Sequence, residues 1–168
     1  IISAFLLLFL CNLQFLVLKN TGFQENTYRS YVGQYVQDIS NNKSDILFLE
    51  PAGYIPYFAK IKIVDTVGLA SPIIRKYRKK DKIPNWWFNY VFNEKPRYII
   101  DRRNVLLNGN VRDGLYVLSK EELKWFRLNY NLKKKFYYKD YVKDYAGAFK
   151  EFYNIGDHSD YYLFEVKK

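Results

Sequence analysis

The sequence has no methionine, one cysteine and one histidine. A lone Cys11 excludes an intramolecular disulfide framework and any cysteine metal cluster, and leaves the redox compartment open. His158 sits in Gly156-Asp157-His158-Ser159-Asp160. It has too few ligands around it for a metal site and no partner for base chemistry, so it reads as a surface-loop residue. Also missing are a G-x-G-x-x-G turn, a P-loop, a nucleophile elbow and an H-E-x-x-H helix. Gly53 and Gly68 each follow a predicted strand but stand alone, which gives no support to a dinucleotide fold. The lack of methionine extends to residue 1, so the chain reads as a fragment or a trimmed product. Acids are in the minority, 17 against 27 Lys plus Arg, for a net charge of +10. Such an excess suits nucleic acid, anionic head groups or phosphorylated substrates, and equally a plain basic surface.

What is present is apolar and aromatic. Hydrophobic residues make up 49% and aromatics 20% of 168 residues, which excludes disorder and supports one domain with an appendage. Ile1 to Leu18 is almost wholly apolar, broken by Ser3, Asn12 and Gln14. A membrane span needs about 20 such residues. The run predicts the C-terminal end of a transmembrane helix over residues 1–20, followed by a soluble α/β domain over 21–168. A buried core helix is the other reading. From Glu25 to Ile39, the spacing of Tyr28, Tyr31, Val32, Tyr35, Val36 and Ile39 marks one face of an amphipathic helix.

The centre of the chain is Ile46 to Pro72. Ile46-Leu47-Phe48-Leu49 is a strand stopped by Glu50-Pro51. Ala52 to Phe58 allows two helical turns, and Ile61 to Asp65 is a second, β-branched strand. Ser71 and Pro72 open the next helix as N-cap and first position. Together these predict a right-handed βαβ unit. Pro72 to Lys82 is a basic helix in which Arg75, Lys76, Arg78, Lys79 and Lys80 form either a solvated face or a contact for lipid phosphates or an anionic substrate. Ile83 to Glu94 carries Trp86 and Trp87. Their rings suit core packing, a membrane interface or a sugar-stacking platform. Pro96 to Arg102 is a third strand. Asn108-Gly109-Asn110 predicts a turn, as in a hairpin between Val105–Leu107 and Val111. Ser119 to Glu122 is a capping box opening a helix to about Tyr130. Phe136 to Tyr138 suits a strand, Tyr145 to Tyr153 a short helix, and Tyr161 to Val166 the last strand. The fold class expected is α/β: a small three-layer arrangement on a mainly parallel or mixed sheet with a Rossmann-like βαβ core, preceded by the transmembrane-type helix.

The best candidates for a site are Glu50 and Asp65, each at the C-terminal end of a predicted parallel strand, where open α/β sheets bind ligands. They could act as acid and base, hold a sugar hydroxyl, or cap the turns after their strands. Gly53 and Gly68 would give backbone room, with Tyr54 and Ser71 beside them.

Gly53-Tyr54-Ile55-Pro56-Tyr57-Phe58, then Ile63-Val64-Asp65 with Gly68-Leu69 and Ser71-Pro72, then Lys95-Pro96-Arg97-Tyr98-Ile99-Ile100 carry a resemblance. Over roughly residues 27–101 the chain resembles the C-terminal soluble domain of GT-C membrane glycosyltransferases, protein-mannosyltransferase-like and arabinosyltransferase-like. These take sugars from polyprenyl-phosphate donors. Tyr161-Tyr162-Leu163-Phe164 is a weaker echo. The resemblance implies a domain on the extracytoplasmic face of the cell membrane that helps place a glycan or protein acceptor. Its partners would be the membrane, the transmembrane part of the same enzyme and a polyprenyl-phosphate sugar. It implies no catalytic residue, no cofactor and no metal in this chain, because the chemistry of such enzymes lies in their membrane bundle. The alternative is a membrane-anchored basic module for anionic polymer or nucleic acid; the apolar first 18 residues count against nucleic acid.

Overall fold

The computed structural model describes residues 2–50, 53–80, 86–111, 116–142 and 160–167. The first helix, α1, runs from Ile2 to Phe23 and continues through a π-helical turn, Gln24–Arg29, into α2, Ser30–Ile39. The membrane-spanning helix expected over residues 1–20 is corrected here. Among the described residues no helix is long and apolar enough to cross a membrane. The uninterrupted apolar stretch runs only from Ala4 to Cys11, and Lys19-Asn20 lie inside α1 rather than closing it. Asn12 turns its amide back onto the carbonyl of Leu8 at 2.8 Å, one turn earlier in the helix.

The sheet has five strands: β1, Ile46–Leu49; β2, Lys62–Asp65; β3, Tyr98–Asp101; β6, Tyr130–Phe136; and β7, Tyr161–Val166. Their spatial order is β2-β1-β3-β7-β6. The sheet is mixed. β2, β1 and β3 are parallel, whereas β7 is antiparallel to both β3 and β6. A separate two-stranded ladder joins β4, Asn110–Val111, to β5, Tyr116–Val117. The hairpin expected to start at Val105 is therefore displaced. Val105–Asn108 is a helical turn, α6, because Gly109 takes a left-handed φ of 72° and ends it.

Two cores cover the two faces of the sheet. On one face, Leu47, Leu49, Tyr98, Ile100 and Leu163 meet Tyr28, Val32 and Val36, together with Ile55 and Ala59 of α3, Tyr54–Ala59. On the other, Phe48, Val64, Ile99 and Phe164 meet Ile74 of α4, Pro72–Lys80, and Trp86, Trp87, Tyr90 and Val91 of α5, Trp86–Glu94. Phe126 of α7, Lys120–Asn129, completes that layer. The alternation of side chains along each strand divides the apolar residues between the two cores. β3 is buried at every position, as a strand covered on both faces must be.

β6 begins sooner than Phe136-Tyr137-Tyr138 suggested. Its ladder with β7 carries a bulge between Leu132 and Lys134. Six residues apart in a regular strand, Tyr130 and Phe136 would share a face. The bulge reverses that parity and sends each ring to a different core. Lys133 at the bulge reaches Glu165 at 3.0 Å, and Glu165 also pairs with Arg97. The helix expected over Tyr145 to Tyr153 and the loop with His158 lie outside the described residues, apart from Asp160.

Candidate functional site at the carboxyl edge of the parallel strands

β1 passes to β2 through α3 on one face of the sheet, and β2 passes to β3 through α4 and α5 on the other. The two crossovers lie on opposite faces, so the strand order reverses between β1 and β3. In open α/β sheets, a crevice forms at this point beyond the carboxyl ends of the strands.

Asp65 is committed to the fold. It is 2% exposed, and its carboxylate accepts from the backbone N–H of Val67 at 2.8 Å, Leu69 at 2.9 Å and Ala70 at 3.4 Å. Its own N–H donates to the Ser71 hydroxyl at 2.8 Å. These bonds shape the loop that carries Gly68, whose φ is 82°. Ser71 is thus tied to β2, and its carbonyl accepts from Ile74 N–H at 3.0 Å.

Glu50 differs. It is half-buried, and among the described residues it has no hydrogen bond or ion pair. In the β1–β2 register Leu49 faces Asp65. Thr66 N–H continues that ladder to the carbonyl of Leu49 at 2.9 Å. The register thus places Glu50 opposite Thr66, one step beyond Asp65 and on the other face of the sheet. Glu50 and Asp65 therefore do not form a carboxylate pair. Leu49 also faces Ile100, so Glu50 lies level with Asp101 on β3. Asp101 is 6% exposed and accepts from Arg103 N–H at 2.9 Å. Thr66 and Glu50, one residue past the ends of β2 and β1, thus come level with Asp101 at the end of β3, a juxtaposition that sequence reasoning missed. No local motif marks it, because it exists only through register. Thr66 is 3% exposed and, among the described residues, neither its hydroxyl nor the buried Asn104 side-chain oxygen has a hydrogen-bond partner.

Beyond β1 the chain opens an aromatic cleft. Gly53, Tyr54, Tyr57 and Phe58 line a space of about 420 Å³. Gly53 adopts φ 127° and ψ −128°, a conformation essentially reserved for glycine, although a Cβ there would meet nothing. The requirement for glycine is conformational rather than steric. Tyr57 is 75% exposed and Tyr54 37%, with Phe58 beneath; the Tyr57 and Phe58 ring centroids are 5.1 Å apart.

Trp86 and Trp87 are 3% and 1% exposed, and packing accounts for both. They line the core under α5 and offer no ring face to a membrane or a sugar. Arg78 donates to the carbonyl of Val67 at 2.8 Å and lies 5.2 Å over the Trp86 ring, so it braces the loop. Of the basic residues singled out on α4, Arg75, Lys76 and Lys79 are exposed. The side chain of Lys80 lies outside the description. Among the described residues no group of three or more His, Cys, Asp or Glu is placed to hold a metal ion.

The fold and site together define a three-layer α/β domain with polar side chains at the carboxyl ends of its parallel strands and an aromatic cleft on α3. The family model described as a domain of unknown function, DUF8728, matches residues 18–164. The chain belongs to that family. Comparison with curated proteins and with solved structures gives no significant match.

Proposed function

We propose that this domain binds carbohydrate and serves as the acceptor-placing tail of a glycosyltransferase that uses polyprenyl-phosphate sugars. The observation that carries the reading is the aromatic cleft. The Gly-Tyr-x-x-Tyr-Phe stretch that resembles the glycosyltransferase tails is the one that folds into it. A sugar ring has an apolar C–H face that gains by leaving water for an aromatic surface, while its hydroxyls remain solvated. Tyr54 and Tyr57 present such surfaces, and the cleft volume lies within the ordinary range for small ligands. In this reading the catalytic groups, the donor site and the extracytoplasmic membrane context belong to other parts of the enzyme.

The test is a titration of the isotope-labelled protein with mannose and arabinofuranose oligosaccharides, followed by amide shifts in NMR. Shifts centred on Gly53 to Phe58, lost in Tyr57→Ala with the melting temperature unchanged, support the proposal. Tyr57 is exposed enough for that substitution to spare the fold. Shifts confined to Arg75, Lys76 and Lys79 on addition of an anionic polymer, abolished by moderate salt, would replace it with the basic-module reading.

A further inference from the structure

A second cleft lies at the other end of α3. It holds about 550 Å³ between the end of α2, the loop after it and the turn from α3 into β2. Ala59 and Ile61 supply its apolar part, and the rest of its lining is polar. Two of the polar residues are committed to the loop. The Ser40 hydroxyl lies 3.1 Å from both the Asn42 carbonyl and the Asp45 carboxylate, and the Asn42 side chain accepts from Ser44 N–H at 2.9 Å. Gln37, Asn41, Lys43 and Lys60 differ. Among the described residues their side chains have no hydrogen bond or ion pair, and no acid lines the cleft. Lys60 ends α3 in the left-handed conformation, φ 52°. Glycine is the usual residue there and takes that conformation without cost, whereas lysine is strained in it. Strain of this kind is kept chiefly at functional sites.

We infer that this cleft takes an acidic group of the saccharide, a carboxylate or a phosphate ester, on Lys43 and Lys60, so that the acceptor is an anionic glycan. The inference rests on the carbohydrate reading of the aromatic cleft and names the charge of what that cleft takes. Both clefts lie on the α2–α3 side of the sheet, and described residues join them. Phe58 lines the first, and Ala59, its neighbour in the chain, lines the second. α3 has six residues, so its ends are about 9 Å apart, within reach of a short oligosaccharide. The helix ends alone do not account for the lysines. The carboxyl ends of α2 and α3 carry at most about half a negative charge each, against two full positive charges, which leaves the cleft at about +1. Hydrogen bonds from an ammonium to a carboxylate or phosphate oxygen are about twice as strong as neutral ones. The amides of Gln37 and Asn41 can donate to and accept from the sugar hydroxyls around the acidic group.

The experiment compares the full chain with Lys43→Gln, Lys60→Asn and Tyr57→Ala. Asparagine tolerates the left-handed conformation, so Lys60→Asn removes the charge and spares the turn. The probes are a neutral mannose oligosaccharide, the same oligosaccharide carrying one phosphate, and a uronic-acid oligosaccharide. At low salt an acidic probe is expected to bind the parent about tenfold more tightly than the neutral one. Lys43→Gln and Lys60→Asn are each expected to reduce that advantage, and to leave both the neutral affinity and the melting temperature unchanged. Tyr57→Ala should weaken all binding. Preference for the phosphorylated probe assigns a phosphate ester, and preference for the uronate assigns a carboxylate; either supports the inference. If neutral and acidic probes bind alike, or if the advantage survives both lysine substitutions, the inference falls and the aromatic cleft stands. If single-stranded DNA binds through Lys43 and Lys60 as tightly as the acidic probes, the cleft is a general polyanion surface and the inference falls. If no oligosaccharide binds the parent protein, both readings fall.

Discussion

Raising the pH should unfold this domain cooperatively, because its cores are built on tyrosine. Tyr28, Tyr90 and Tyr130 are 0%, 1% and 1% exposed. The Tyr28 hydroxyl donates to the carbonyl of Phe136 at 3.0 Å, and that of Tyr130 to the carbonyl of Pro96 at 3.0 Å. Ionising either would press an oxyanion against a carbonyl oxygen in an apolar surround. Burial, the largest cause, pushes all three well above the ordinary tyrosine range; the Tyr161 ring adds to it at Tyr28, Glu94 at Tyr90, and Tyr90 itself at Tyr130. The sign follows from proton linkage. Below about pH 10 both folded and unfolded chains hold these protons, and stability does not depend on them. Above it the unfolded chain loses them and the native chain keeps them, so stability falls as pH rises. Each such tyrosine contributes a slope of about 1.4 kcal/mol per pH unit, and three give about 4. A domain of ordinary stability, about 5–15 kcal/mol, would then unfold roughly one to four pH units above 10.

The assay is paired: tyrosinate absorbance and far-ultraviolet circular dichroism over one alkaline titration. Tyrosines at the surface should ionise first, without loss of secondary structure. The buried ones should then ionise together with the loss of helix signal, at a single pH. Tyr130→Phe should make the alkaline loss of stability shallower by about a third, after an initial cost of about 1 kcal/mol for the lost hydrogen bond. A smooth titration of all tyrosines near pH 10 with unchanged dichroism would refute the reasoning.

Two further outcomes follow from close contacts. Gly33→Ala places a methyl 2.6 Å from the Ile55 carbonyl oxygen and 2.8 Å from Phe58 Cβ, so α2 must move off α3. We expect a loss of about 1–3 kcal/mol in urea unfolding, and no loss would mean that the helix pair is looser than described. Asp65→Ala strips the Val67, Leu69 and Ala70 N–H groups of their acceptor, and should cost about 3 kcal/mol with faster amide exchange confined to that loop.

Locally encoded features were legible in the sequence, and those that depend on distant pairing were not. Ser119 accepts from Glu122 N–H at 3.2 Å, and the Glu122 carboxylate accepts from Ser119 N–H at 2.7 Å, a reciprocal cap set by residues three apart. The Ile46–Leu49 strand is as plain, an apolar run closed by proline. β6 was hidden because Lys133, Lys134 and Lys135 interrupt its alternation. It is an edge strand, where lysines guard the open side, and its bulge breaks the period. Lys134 still contributes to packing, its ammonium 4.0 Å from the Tyr35 ring centroid. The tryptophans were ambiguous because composition does not say which face of a short aromatic helix lies inward. In the site, Glu50 and Asp65 were legible as strand ends. Thr66 and Asp101 were not, since a row of side chains across a sheet is a property of register alone.

The fate of the two acids turns on one residue of offset. Asp65 is the last residue of β2 and lies level with Leu49, so its carboxylate falls on the face closed by α2 and α3. Buried there, a carboxylate must find donors, and the N–H groups of the following loop supply them. Glu50 stands one residue later than that level and so on the opposite face. Among the described residues nothing donates to it. Had β1 ended one residue earlier, Glu50 would have replaced Leu49 in the first core and the edge would have no accessible carboxylate. The same parity sets Thr66 beside Glu50 rather than beside Asp65. A single register, fixed by Leu47, Phe48 and Leu49 entering alternate cores, thus separates the acid that holds the fold from the acid left at its edge.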